Sequence, residues 1–254
     1  MRIIPVLDDN YSYLFVDRPT RTISCVDPGD HVPVLEVIDQ LLTTDNMAKL
    51  RYIFCTHKHW DHVDGNKEIL RAFPDVSIIG PSYEPIPFSN GVLSHGERMQ
   101  VGSLTVESIH TPCHTQGHMC YLVSGPTGDP LLFSGDTLFA GGCGRFFEGS
   151  AADMLRNMNL IGALAGETQI YCGHEYTLSN VEFLRSIDPE NIPKYYNRFK
   201  ELRNANLPTV PTTVKSEISY NLFMKCNEME TQDLLSVSSA VDAMKTLREL
   251  KNKF

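Results

Sequence analysis

Apolar residues recur along this chain with two different periods, and the change of period divides it. Through residue 174 short β-rich runs dominate: "YSYLFVD", "RTISCVD", "RYIFCTH", "VSIIG", "SLTVESIH", "CYLVSG", "LLFSGD" and "TQIYCGH", many closed by Gly, Pro or Asp. Between some of them, "VPVLEVIDQLL", "NKEILRAF" and "ADMLRNMNLIGAL" place apolar residues three and four apart and predict helices. Beyond residue 175 the strand signals nearly vanish. "NVEFLRSI", "PKYYNRFKELRNAN" and the final "TQDLLSVSSAVDAMKTLRELKNKF" all have helical spacing, interrupted by the Pro-rich connector "LPTVPTT". The pattern predicts an α/β domain over 1–174 followed by a smaller all-helical domain over 175–254.

Composition narrows the class. With 254 residues, 42% hydrophobic and 21% charged, the chain can bury a sizeable core as an ordinary soluble globular protein. No apolar stretch approaches the roughly 18 residues that cross a bilayer, and "MRIIPVLDDNYSYLFVD" alternates like strands instead of a cleavable signal. Seven cysteines at scattered spacings give no disulfide framework, so a reducing, cytoplasmic setting is expected. The net charge of -9 is unevenly placed: residues 1–174 carry 11 Lys/Arg against 20 Asp/Glu, and residues 175–254 carry 11 of each. An acidic first part argues against a nucleic-acid partner, and nothing points to a membrane.

The candidate chemistry lies in "FCTHKHWDH", where His57, His59, Asp61 and His62 crowd together just past an apolar run. A strand ending near Cys55 would deliver His57 and His59 on a loop, projecting to the same side. Neutral imidazoles and carboxylates in such density are ligands for zinc, iron or manganese, whose charge removes their mutual repulsion. Four ligands on one loop cannot all close on one ion. Three further residues also follow apolar runs: His114 in "HTPCHTQGH", Asp136 in "LLFSGDTLF" and His174 in "IYCGHEY". Seven ligands suffice for two ions, and Asp136 is assigned as the carboxylate between them.

These segments, with "FSGDTLFAGGCGRFFEG" and "PTVPTT", resemble the metallo-β-lactamase fold and within it glyoxalase II, the hydroxyacylglutathione hydrolases. The resemblance spans essentially the whole chain and implies an αββα sandwich with a dinuclear site at one edge. It implies His57, His59 and His114 on one ion, Asp61, His62 and His174 on the other, and Asp136 with a hydroxide between them. The two cofactor ions are taken as zinc, with iron or manganese as alternatives. It further implies hydrolysis of S-D-lactoylglutathione to D-lactate and glutathione; a monomer is expected, although the sequence has no signal for oligomeric state. Asp61 is a candidate proton carrier, a role the sequence itself does not show, and Arg145, Phe146, Phe147, His174, Tyr176, Phe183, Arg248 and Lys251 are expected to contact the substrate.

The chain departs from the family's pattern at Lys58, often His, at Phe147, commonly Tyr, and at Arg145, frequently Lys. Lys58 is expected to have no metal role. His118 is read as a packed neighbour of the site, His31 and His95 as solvated, and Cys113 and Cys172 as buried thiols without catalytic duty. The alternatives are a persulfide dioxygenase, an RNA-processing nuclease and a binding protein with structural metals. The acidic first part opposes the nuclease, and a ligand set without thiolates opposes a closed structural site.

Overall fold

The computed structural model describes all residues from Met1 to Phe254. Strands β1 (Arg2–Val6), β2 (Asn10–Asp17), β3 (Thr22–Val26), β4 (Lys49–Phe54), β5 (Ser77–Pro81) and β6 (Gly91–Leu93) lie side by side in chain order. The first three pair antiparallel and β3 to β6 pair parallel. Parallel neighbours require a crossover. Helix α1 (His31–Thr44) supplies it between β3 and β4, and α2 (Trp60–Val63) with α3 (Asn66–Ala72) between β4 and β5.

The second sheet begins with β7 (Arg98–Val101), β8 (Leu104–His110), β9 (Met119–Ser124) and β10 (Leu131–Gly135), all antiparallel. A small hairpin of β11 (Leu138–Phe139) and β12 (Gly142–Cys143) and helix α4 (Ala151–Gly162) then lead to β13 (Gln169–Cys172), parallel to β10. The rest is α5 (Thr177–Ile187), α6 (Pro193–Asn204), the edge strand β14 (Thr212–Thr213), α7 (Val214–Tyr220), α8 (Met229–Leu234) and α9 (Ala240–Lys253).

Three apolar layers hold this together. One lies between the first sheet and α1 and α3, where Val34 and Ile38, four apart on α1, meet Leu14, Ile23 and Ile53. A second, largely aromatic, lies between the sheets: Tyr13 meets Phe133 at 5.4 Å and Phe54 meets Tyr121 at 5.2 Å between ring centroids. The third packs the second sheet on α4, α5 and α9 through Met154, Leu184 and Leu247. Alternation along β2 explains its near-complete burial: Tyr11, Tyr13 and Phe15 face the other sheet, while Leu14 faces the helices. The order is helix, sheet, sheet, helix.

Polar contacts between the layers point at one edge. Tyr121 Oη donates to the Cys55 carbonyl at 2.9 Å, and Tyr13 Oη to that of Cys172 at 2.5 Å. Cys55 directly follows β4 and Cys172 ends β13, and each leads into a predicted ligand segment. No helix is long and apolar enough to cross a membrane.

Beyond residue 175 the sequence pattern differs from the structure in three places. The C-terminal part is not wholly helical, because "PTT" provides β14, which pairs with β13 (Gln169↔Thr213) and closes the second sheet's edge. The final helical run is two helices, broken where Ser236 takes φ +55° and Ser239 caps α9 by accepting the Asp242 N–H at 3.1 Å. Helix α7 was not predicted. Its start is the pair Thr213 and Ser216, each side chain bonding the other's N–H, with Ser in place of the usual Glu or Gln.

Candidate metal centre

The four ligands of "THKHWDH" do not share a loop. His57 and His59 follow β4 on an irregular segment, whereas Asp61 and His62 lie on α2, which turns them toward a different set of partners. His57 Nε2 lies 3.0 Å from His59 Nδ1, which lies 3.0 Å from His114 Nε2. His62 Nε2 lies 3.3 Å from His174 Nε2, and Asp61 Oδ2 lies 3.6 Å and 3.5 Å from these two nitrogens. Asp136 stands between the groups: Oδ1 is 3.4 Å from His62 Nε2, and Oδ2 is 3.3 Å from both His114 Nε2 and His174 Nε2.

Hydrogen bonds on the far side of the rings decide which atoms face inward. Thr56 Oγ1 donates to Asp27 Oδ2 at 2.6 Å and so accepts from His57 Nδ1–H at 3.0 Å. The Arg145 carbonyl, Asp27 Oδ2 and Asp9 Oδ1 accept from Nδ1–H of His114, His62 and His174 at 3.1, 3.0 and 2.8 Å. Each of these four rings therefore turns Nε2 inward, where its lone pair is available to a cation. Lone pairs this close repel unless a cation lies among them. A tetrahedral ion with arms of about 2.0–2.1 Å has ligand-to-ligand edges of about 3.3–3.4 Å; the separations around His62, His174 and Asp136, 3.3–3.6 Å, are of that size, and those of the first group, 3.0 Å, are somewhat tighter. The buried Asp136 Oδ1 has no hydrogen-bond partner, as expected of an oxygen kept for a metal. The residues fit two divalent cations.

The electrostatics agree. Burial alone would raise the Asp136 carboxyl, but His62, His174 and His114 outweigh it and hold it well below the usual range. Burial opposes charge on His62, yet Asp136, Asp27 and Asp61 raise that ring to about 9. His57 and His118 lie well below the ordinary value, first through burial. The centre's carboxylates thus demand positive charge, which protons or metal ions can provide.

His118 is not a ligand. Fully buried, it accepts the Asp136 N–H on Nε2 at 3.0 Å, with Nδ1 near the hydroxyls of Thr111 and Thr137 at 2.9 and 3.0 Å. Gly135 makes this turn with φ +47°, and a Cβ there would meet Thr56 Oγ1 at 2.6 Å and His118 Nε2 at 2.7 Å. His110 stacks on Tyr83 at 3.9 Å, and His95 is exposed. Burial raises the Cys113 and Cys172 thiols to about 12, so neither is a thiolate at neutral pH. Lys58 pairs with Glu148 at 2.8 Å and Glu84 at 3.6 Å, away from the ions' place.

Over the centre opens a cleft of about 700 Å³ that joins the two parts of the chain. His59, Asp61, His114, Asp136 and His174 form its floor; Arg145, Phe147, Tyr176, Arg248 and Lys251 line its walls. The Tyr176 ring stacks on His174, 4.7 Å apart and inclined by 6°. Arg248 is only 7% exposed and donates from Nη1 to the Cys143 carbonyl at 2.8 Å. Lys251 Nζ donates to the Ser179 carbonyl at 2.8 Å and to its Oγ at 2.9 Å.

Two expected substrate contacts fall elsewhere. Phe183 is buried against Phe223 and Phe254, with Lys251 Nζ 5.4 Å over its ring, so it supports the cleft wall without lining it. Phe146 faces an adjoining groove of about 640 Å³ with Arg145 and Phe147. Asp9, Asn10 and Asp27 were missed. Asn10 Nδ2 donates to Asp61 Oδ2 at 2.9 Å, and Asp27 also accepts the Thr56 N–H at 2.7 Å. Asp27 does follow an apolar run as Asp136 does, but only the fold shows that it faces His62.

Residues 26–174 match the family described as the metallo-beta-lactamase superfamily, and residues 175–254 match the hydroxyacylglutathione hydrolase C-terminus. The chain is 38% identical over 255 residues to the cytoplasmic hydroxyacylglutathione hydrolase of Arabidopsis thaliana, covering 98% of this chain and 96% of that protein. It is 37% identical over 266 residues to the hydroxyacylglutathione hydrolase of Vibrio campbellii, covering 100% and 99%. Among solved structures, ETHE1 from Myxococcus xanthus superposes with a TM-score of 0.64 at 22% identity, covering 97% of this chain and 100% of that one. TTHA1623 in a di-iron-bound form superposes with a TM-score of 0.54 at 23% identity, over 68% and 90%. At these identities the structural likeness shows the αββα fold.

Proposed function

This chain belongs to the hydroxyacylglutathione hydrolase (glyoxalase II) family, and on that premise we propose that it hydrolyses S-D-lactoylglutathione to D-lactate and glutathione. One observation carries the reading: a centre built for two cations and a cationic wall from α9 open into the same cleft. His57, His59 and His114 would hold one ion, Asp61, His62 and His174 the other, and Asp136 both. When bound, such a pair supplies hydroxide at neutral pH and polarises the thioester carbonyl. Zinc is the first candidate, with iron or manganese also suited to a His/Asp set.

The chain's own groups do the rest. Arg248 and Lys251 bind a glutathione carboxylate, and Tyr176 and Phe147 flank the chain leading to the sulfur. Asp61, whose Oδ2 accepts from Asn10, is partly open to the cleft, and its Oδ1 takes the proton that water releases. The C–O bond forms, the C–S bond breaks, and that proton goes to the departing glutathione sulfur. A thiolate leaves readily, so no strong acid is needed beside it. We place the activity in the cytoplasm, in keeping with the absence of a disulfide among the seven buried cysteines.

The test joins turnover to metal analysis. Purified protein should carry about two ions per chain and cleave the thioester; a chelator should abolish cleavage, and added zinc should restore it. Oxygen uptake with glutathione persulfide, in the absence of thioester cleavage, would overturn the proposal.

A further inference from the structure

Glu84 lies outside the ligand set, in the segment between β5 and β6, with its side chain 4% exposed. Its Oε1 accepts the Lys58 N–H at 2.8 Å and the Thr115 hydroxyl at 3.0 Å. Its Oε2 accepts the Gly117 N–H at 3.1 Å and lies 3.6 Å from Lys58 Nζ. Lys58 is the residue between His57 and His59, and Thr115 directly follows His114. One carboxylate therefore grips both segments that carry the first ligand group. The approach is close: a Cβ on Gly117 would stand 2.3 Å from Glu84 Cγ, so glycine is what admits the side chain here. The second group is held by Asn10, Asp9 and Asp27, the last of which also reaches His57 through Thr56.

We propose that Glu84 is a positioning residue for the ion held by His57, His59 and His114, and that it sets the affinity of this ion separately from the other. The inference rests on the two-ion reading above. His57 and His59 come from the end of β4 in the first sheet, and His114 from the loop after β8 in the second. The two segments also meet through the Met119 N–H on the Thr56 carbonyl at 2.8 Å and through Glu148, which pairs with Lys58 Nζ and accepts the Gln116 N–H, but Glu84 alone binds the Lys58 main chain and the Thr115 side chain beside the ligands; without it an arriving ion would have to fix these ends itself. With Glu84 in place the segments are joined beforehand, so that ordering is not drawn from the ion's binding free energy. Lys58, which bridges Glu84 and Glu148, provides the countercharge for the buried carboxylate.

Zinc titration against a competing chelator tests this without reference to turnover. Glu84→Gln keeps the shape but turns an NH₂ toward an N–H donor; Thr115→Val removes one of the four donors. The wild-type chain should bind two zinc ions. In Glu84→Gln one of them should weaken roughly 10–100-fold and the other should keep its affinity, with a smaller shift of the same ion in Thr115→Val. With cobalt as the probe, the retained ion should show the same absorption as the one retained by His59→Ala. Equal weakening of both ions, or no change in either, overturns the proposal alone. A wild-type chain that takes up one ion only overturns the two-ion reading and the proposal with it. If Glu84→Gln does not fold, Thr115→Val decides by whether a single ion weakens.

Discussion

Asp136→Ala should lower thioester cleavage by at least roughly a thousandfold and should remove both ions together instead of one. The reason is its position. Its two oxygens reach His62 Nε2 at 3.4 Å and both His114 and His174 Nε2 at 3.3 Å, so one carboxylate serves both ligand groups. Alanine leaves three inward-facing rings around a buried void with no anion among them, and each ion loses a ligand. The backbone clamp from His118 to the Asp136 N–H is untouched by the change, so a loss of folding is not the expected cause. Metal content per chain, measured beside turnover, checks the result. A variant that keeps two ions and full activity contradicts the shared-carboxylate assignment. Cys113→Ala is the companion test, and it should retain full turnover, because a thiol raised to about 12 by burial offers no nucleophile.

Replacing the two cleft cations of α9, as Arg248→Met with Lys251→Met, should raise KM for glutathione thioesters strongly while changing kcat less and leaving both ions bound. Charge-assisted contacts contribute about 1.5–3 kcal/mol each, which corresponds to roughly tenfold to hundredfold in affinity per contact. They act on the carboxylate end of the substrate, away from the reacting carbonyl, so the effect belongs in binding. Methionine is chosen because Arg248 is buried beside Cys143 and Phe223, where alanine would also open a void. A thioester whose thiol part lacks the carboxylate should show much less change; equal losses for both substrates would mean that α9 is only a wall.

Lys251 adds a pH signature. Burial, with Arg248 contributing, lowers it to about 8. Its charge is therefore lost as pH rises through that value, so wild-type KM should climb above pH 8, and Lys251→Met should lack the climb. The sign for stability is opposite: with the folded value depressed, charged Lys251 opposes folding, and the unliganded protein should gain stability as pH rises from about 8 toward the ordinary lysine range.

What the sequence determined by itself was the set of parts. Period-two runs ending in His or Asp are readable without a fold, because a strand exposes whatever follows its last buried residue; His57, Asp136 and His174 were found that way. Helical spacing likewise located α1, α4, α5 and α6, and the shift of charge at residue 174 separated an acidic part from a neutral one. The family resemblance then added the proposed grouping of those residues on two ions. Tertiary structure decided the rest, because it depends on residues far apart in sequence. That Asp61 and His62 turn away on α2 while His57 and His59 do not, and that Asp27 and Asp9 hold ring nitrogens, has no local signal. The helical pattern of α9 marked Arg248 as one charge on an amphipathic face, but only the packing of α9 on α4 put that face inside and made it a wall of the cleft. Phe183 failed as a substrate contact for the same reason: hydrophobic spacing says that a side chain is buried against something, and only the assembled layers say against what.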